Sequence, residues 1–428
     1  MQLIIGKTRN IFRRLTAALL LIVSLAGAGL SSPAFAHGER NQEPFLRLRT
    51  AHFYDVKWSS KSVPVNGSII ITGRFRLFKE WPANLPKPDV AFLGNGTPGP
   101  VFVRTESYIN GVPAIQSAPL ELDRDYAFKF VLKARIPGRH HVHPMINAQE
   151  AGPLLGPGEW VTVTGSHADF KLPVRTINGT FIPNLETWGL DRVYLWNGLW
   201  FAIAIGWLLF WLRRPLLITR YLAVTEGKEE ALISNKDRVV GAILLASTIV
   251  IVFVGYVVTD NAFPRTIPLQ GGRASVEPLP FTPGAVKVYV TKSTYDVPGR
   301  SLKIEMNLTN EGPAPVQLGE FLTSNLRFIN ASVPAAVKGL DPNYPRDVVP
   351  VNGLKVSDNR PIAPGETRKI AVAATDVAWE KERLTSLLND PDNLVGGLLF
   401  FFDAAGNRSI SNVSGPMVPV FTAETVKG

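Results

Sequence analysis

Two stretches of twenty residues, 193–212 and 239–258, contain no Asp, Glu, Lys or Arg. Wound as a helix at about 1.5 Å per residue, each reaches about 30 Å, the thickness of a bilayer's hydrocarbon core. Nothing else constrains the fold as tightly, because backbone amides inside lipid must find their partners within the segment itself. Arg192 and Arg213 bracket the first stretch, and Arg238 and Asp260 the second. Tyr194, Trp196, Trp200, Trp207 and Trp211 give the first its interfacial aromatic belts. The intervening residues 213–238 hold Arg213, Arg214, Arg220, Lys228, Lys236 and Arg238. By the positive-inside rule this loop is cytoplasmic, which puts the regions before and after it outside. Two buried core helices are the alternative reading of the same runs.

The N-terminus argues the same topology independently. Lys7, Arg9, Arg13 and Arg14 come before any acidic residue, an apolar run covers 15–30, and Ala34-Phe35-Ala36 follows. That order predicts a secretory signal peptide over 1–36. A retained anchor is the alternative, although the run is short for a span. The four basic residues account for part of the net charge of +10. The rest is scattered, with no basic stripe interleaved with aromatics, so a nucleic-acid partner is not expected. The chain has no cysteine, which excludes disulfides, thiolate zinc, iron–sulfur clusters, a cysteine nucleophile and blue copper.

Outside the spans the sequence reads as strands. Residues 74–78 and 126–133 alternate apolar and polar, as do 286–290 and 302–306. Asn66-Gly67, Asn95-Gly96, Pro137-Gly138, Pro298-Gly299 and Pro364-Gly365 are the expected turns, and 379–389 the one expected short helix. The predicted fold is mainly β with a transmembrane helical hairpin: antiparallel β-sandwich domains over 37–185 and 265–428, joined by helices over 193–212 and 239–258.

All six histidines, His37, His52, His140, His141, His143 and His167, fall in the first of these domains. Cleavage after Ala36 makes His37 the new N-terminus, where a free α-amine and an imidazole can chelate one ion. In a strand after Pro137-Gly138, His141 and His143 point to one face with Cα atoms roughly 6.6 Å apart. Together these offer four nitrogens and no sulfur, a set that favours copper(II), with zinc as the standing rival. His140 faces the other way, and His167 has no motif around it.

At these residues the chain resembles a known family. His37-Gly38-Glu39-Arg40 and residues 42–50 are similar to the mature start of the B subunit of the membrane-bound copper monooxygenases, the particulate methane and ammonia monooxygenases. Gly138-Arg139-His140-His141-Val142-His143-Pro144-Met145 is similar to that family's copper motif, and residues 152–158 follow as expected. The similarity continues through 266–270, 295–300, 318–321 and 398–403.

The resemblance implies cupredoxin-like domains in the periplasm, on a bacterial inner or intracytoplasmic membrane. It implies copper on His37, His141 and His143, and matches Glu39 to an acidic position able to orient a ligand histidine. His52 matches a position that in some members binds a second copper with another histidine. The partner position here is Arg76, a permanent cation, so that second site is expected to be absent. The A and C subunits would be partners in a trimer of heterotrimers, with quinol as electron donor. The implied reaction is hydroxylation of ammonia or methane by dioxygen. Residues 42–45 and 139–141 look closer to the ammonia-oxidising branch. The rival from another class is a membrane-anchored copper protein for electron transfer or a structural subunit without its own catalytic site. The absence of cysteine argues against the dinuclear copper of respiratory oxidases, and the scattered Met145, Met306 and Met417 against a methionine-rich copper chaperone.

Overall fold

The computed structural model describes residues 44–176, 179–212, 217–262, 272–280, 284–350, 352–375 and 392–421. The expected signal peptide, His37, Glu39, residues 266–270 and the helix expected over 379–389 lie outside the described residues. The chain forms two compact units, one joining Met1–Asp169 with Gly272–Gly428 and the other spanning Phe170–Gly271.

The first unit opens with helix α1 (Pro44–Arg49) and strands β1 (Ala51–Trp58), β2 (Ser62–Pro64), β3 (Ser68–Leu77) and β4 (Ala91–Gly96). Strands β5 (Phe102–Ile109), β6 (Val112–Pro113), β7 (Asp125–Ala134), β8 (Gly138–Ala148), β9 (Gly152–Leu155) and β10 (Glu159–Thr164) follow. They form two sheets, one ordered β1-β3-β7-β5-β6 and the other β2-β10-β8-β4 with β9 on β8. Strand β7 shows why they pack face to face. Its Tyr126, Phe128, Phe130, Leu132 and Ala134 are buried and the residues between them half-buried, the period-two pattern of a strand with one apolar face. They share a core with Phe53 and Phe75 of the same sheet and Val142, Ile146 and Val161 of the other.

The second unit carries the pair β11 (Val174–Arg175) and β12 (Phe181–Ile182), then helices α2 (Leu190–Leu212), α3 (Leu217–Thr225) and α4 (Asn235–Ala262). Helices α2 and α4 contain the two uncharged stretches and are long and apolar enough to cross a membrane. None of their apolar length is buried within the chain, which removes the core-helix alternative. Ser234 starts α4 through a reciprocal cap: Asp237 Oδ2 accepts from the Ser234 amide at 2.8 Å, and Ser234 Oγ accepts from the Asp237 amide at 3.3 Å.

The first unit resumes with β13 (Val286–Asp296), β14 (Ser301–Asn310), β15 (Val316–Thr323), β16 (Leu326–Ile329), α5 (Pro334–Lys338), β17 (Leu354–Val356), β18 (Thr367–Thr375), β19 (Leu394–Asp403) and β20 (Arg408–Val420). The eight strands run β16-β15-β19-β20-β13-β14-β18-β17. The long β20 joins the two halves of this sheet. Residues 408–416 pair antiparallel with β19, and Met417 to Val420 pair parallel with β13. Both halves then line one core, with Ile304, Leu308, Phe321, Val372, Phe401 and Val413 among its members. Antiparallel pairing dominates, and each β region admits one parallel pair, β2 beside β10 and β13 beside β20.

Strand β19 does not alternate, because both its faces are covered. Val395, Leu399 and Phe401 enter the C-terminal core. Leu398, Phe400 and Phe402 meet Tyr54 of β1 in a smaller cluster. Polar ties cross the same boundary. Arg408 holds Asp55 at 2.6 and 2.5 Å. Arg76 grips Asp125 at 2.8 and 2.5 Å and reaches Asn412 at 3.1 Å. Burial pushes Asp55 up, but the hydrogen bonds and charge of Arg408 outweigh it and hold the carboxyl below the usual carboxylate range.

Candidate metal centre

Strand β8 places His141 and His143 on one face, and their imidazoles meet. Their ring centroids are 4.4 Å apart at 86°, and His143 Nε2 lies 2.9 Å from His141 Nδ1. The other nitrogen of His143, Nδ1, is 2.9 Å from the Gly156 carbonyl oxygen. A carbonyl only accepts, so Nδ1 carries the proton and the neutral ring's lone pair is at Nε2, facing His141.

The loop after β9 makes this arrangement possible. A Cβ on Gly158 would overlap the His143 ring, and one on Gly156 would stand 2.8 Å from atoms of Phe53 and Pro144. Both positions therefore need glycine for close approach. Asn325 Nδ2, from the turn between β15 and β16, donates to the Leu155 carbonyl at 2.8 Å. The C-terminal β region thus braces the loop one residue before Gly156. Asn95-Gly96, expected as a turn, instead ends β4, with Gly96 opposite His143. A Cβ there would come within 2.9 Å of Leu155 Cδ2 and 3.4 Å of His143 Cβ. The glycine serves packing beside the histidine and not chain reversal.

Across from β8, Trp160 of β10 is the direct partner of His141. The two rings lie 4.8 Å apart with their planes tilted by 33°, and the Arg139 guanidinium lies 4.7 Å from the indole centroid. Trp160 and Asn325 carry no motif of their own, whereas Gly158 ends the 152–158 stretch already matched in the sequence. Only the register of β8 against β10 and the packing of the two β regions bring them to the histidines.

The remaining histidines are held elsewhere. His140 Nε2 meets the Ile136 carbonyl oxygen at 2.9 Å and the ring packs edge-on to Phe102 at 6.1 Å. His167 lies in an exposed turn with Nδ1 3.2 Å from the Arg135 carbonyl oxygen. His52 is buried beside Phe78 at 5.1 Å and pairs across strands with Arg76. Desolvation first, and the Arg76 charge second, hold its pKa down to about 3. His37 and Glu39 lie outside the described residues.

The pair fits a metal ion with nitrogen ligands. At a metal–nitrogen distance of about 2.0–2.1 Å, two donors at a right angle are about 2.9 Å apart and a tetrahedral pair about 3.3 Å. The observed 2.9 Å is the length of an ordinary hydrogen bond between the two rings and lies close to both spacings. Among the described residues no third His, Asp or Glu joins the pair closely enough to make a three-ligand group.

Fold and site together define a membrane protein with two candidate spanning helices, whose β-sandwich presents two converging imidazoles. A model of the monooxygenase B-subunit protein family matches residues 38–421. The chain belongs to that family, and is therefore part of a multi-subunit membrane monooxygenase, an oxidoreductase. The chain is similar to the "Particulate methane monooxygenase alpha subunit" of Methylococcus capsulatus, strain Bath. The two are 44% identical over 407 residues, which covers 95% of this chain and 97% of that protein. Among solved structures, the cupredoxin domain of amoB from Nitrosocaldus yellowstonii aligns with 28% of this chain and 91% of its own length, at 18% identity and a TM-score of 0.23. That overlap is too loose to bear on the fold.

Proposed function

We propose that this chain holds copper in a membrane monooxygenase complex that inserts one atom of dioxygen into ammonia or methane, ammonia ahead of methane. The observation that carries the copper reading is the meeting of the His141 and His143 rings on one face of β8, with Nδ1 of one 2.9 Å from Nε2 of the other, a nitrogen set without sulfur that suits copper(II). His37 supplies the remaining donors through its α-amine and imidazole once residues 1–36 are removed. Helix α1 lies against β9, the strand that leads into the loop beside His143. His37 stands seven residues before Pro44, within a tether of about 25 Å. Glu39 accepts a hydrogen bond that orients one of the ligand histidines.

Copper bound there supplies the one-electron redox chemistry that dioxygen activation requires. The chain's own residues hold and orient. The Gly156 carbonyl keeps the proton on His143 Nδ1, so that Nε2 would offer its lone pair to the metal. Residues 37–185 and 265–428 are periplasmic domains of cupredoxin type, and 213–238 is the cytoplasmic loop between the spans. The A and C subunits complete the protomer, three protomers assemble, and quinol supplies the electrons.

The test uses the purified complex. Copper analysis with N-terminal sequencing should find copper bound and a chain beginning at His37. Turnover of ammonia and of methane under isotope-labelled dioxygen should place label in hydroxylamine in preference to methanol. An uncleaved chain with full copper content would overturn the ligand set. Label found only in methanol would reverse the substrate order.

A further inference from the structure

The indole of Trp160 lies against His141 with ring centroids 4.8 Å apart and planes tilted by 33°, and the Arg139 guanidinium lies over the indole at 4.7 Å. The three residues come from two adjacent strands in fixed register, Trp160 opposite His141 and Arg139 opposite Thr162. Arg139 and His141 are two apart on β8 and so share a face, and both side chains contact the indole. An imidazole turns about a broad, roughly two-fold torsion beyond Cβ. A flat wall beside it limits the ring to orientations near the observed one and its two-fold flip. Of these, one turns Nδ1 toward His143 and the other a carbon.

We infer that Trp160, clamped by Arg139, is a positioning residue of the metal centre, holding the His141 ring in the plane in which Nδ1 meets a metal ion shared with His143. The inference rests on the copper reading above and adds a residue to it. The indole contacts the face of the imidazole, whereas a ring nitrogen binds a metal along the ring edge. The guanidinium is attracted by the indole's electron-rich face and keeps it from swinging away.

The test measures copper(II) binding and the copper(II) electron paramagnetic resonance spectrum of the purified complex, for Trp160→Leu, Trp160→Phe, Arg139→Gln, His141→Ala and His143→Ala. Loss of an orienting partner lowers metal affinity by about 10–100-fold. Trp160→Leu should show that loss, together with a broadened spectrum whose nitrogen hyperfine pattern differs from the parent. Trp160→Phe, which keeps a flat face, should restore both affinity and spectrum, and Arg139→Gln should fall between. Parental affinity and spectrum in Trp160→Leu would overturn the inference. Retention of copper by both histidine variants would overturn the copper reading itself, a separate result. If Trp160→Leu does not accumulate, the Phe and Arg139→Gln variants decide: a spectrum unchanged in Arg139→Gln and altered in Trp160→Phe sinks the flat-face argument.

Discussion

His143 Nε2 faces His141 Nδ1 across 2.9 Å, while the Gly156 carbonyl holds the other nitrogen of His143 at 2.9 Å. Two rings on the same strand, two residues apart, thus turn different nitrogens toward each other. The asymmetry comes from their surroundings. His143 is buried and hydrogen-bonded to a loop, whereas His141 is half-buried and packed against Trp160.

If these two rings hold copper, His141→Ala and His143→Ala should each lower the copper content of the purified complex, measured by mass spectrometry. His140→Ala should leave it at the parental value, because His140 is engaged by Ile136 and Phe102. Greater loss in His140→Ala would mean that the metal lies on the other face of β8.

Gly158→Ala should push the His143 ring from its seat. Overpacking of this kind costs about 1–3 kcal/mol, so the thermal midpoint should drop and copper should be lost with it. A variant with parental copper content and midpoint would show that the loop relaxes freely.

Asn325→Gly keeps the left-handed backbone at this position, φ 66°, and deletes the hydrogen bond to Leu155. Losing a hydrogen bond of this kind costs about 0.5–1.5 kcal/mol. Because Leu155 precedes Gly156, copper affinity should fall although the substitution lies in the C-terminal β region. Unchanged copper binding in a destabilised protein would confine Asn325 to a purely structural part.

Acid should weaken the fold through His52. Its pKa falls from 6.5 to about 3 in the folded chain, so the unfolded chain binds the proton first. Its stabilising contribution is complete above pH 6.5 and is lost as pH falls toward 3, with a slope of up to about 1.4 kcal/mol per pH unit. In chelator-treated, detergent-solubilised protein, His52→Gln should flatten the dependence of thermal midpoint on pH across that window. An equal slope in the two proteins would place the titration elsewhere.

The cysteine-free sequence makes orientation directly measurable. Lys228 and Lys287 are both exposed. A membrane-impermeant maleimide applied to intact spheroplasts should label Lys287→Cys and reach Lys228→Cys only after lysis. The reverse pattern would invert the proposed topology.

The sequence by itself determined the features that repeat along the chain. Uncharged runs long enough for a span became α2 and α4, and the alternation in 126–133 and 302–306 became β7 and β14. The spacing of His141 and His143 placed both on one face of β8. These are consequences of local backbone geometry, one residue per 1.5 Å in a helix and two alternating faces in a strand. Only the tertiary structure decided that Gly96 packs beside His143 and does not turn, that Trp160 covers His141, and that Asn325 braces the loop at Leu155. It also decided that β20 leaves β19 to run beside β13, and that β19, covered on both faces, loses its alternation. Such relationships depend on register between strands and on contacts between residues as far apart as Leu155 and Asn325. No local period along the chain records them, because they arise only when separate elements bury their faces against one another.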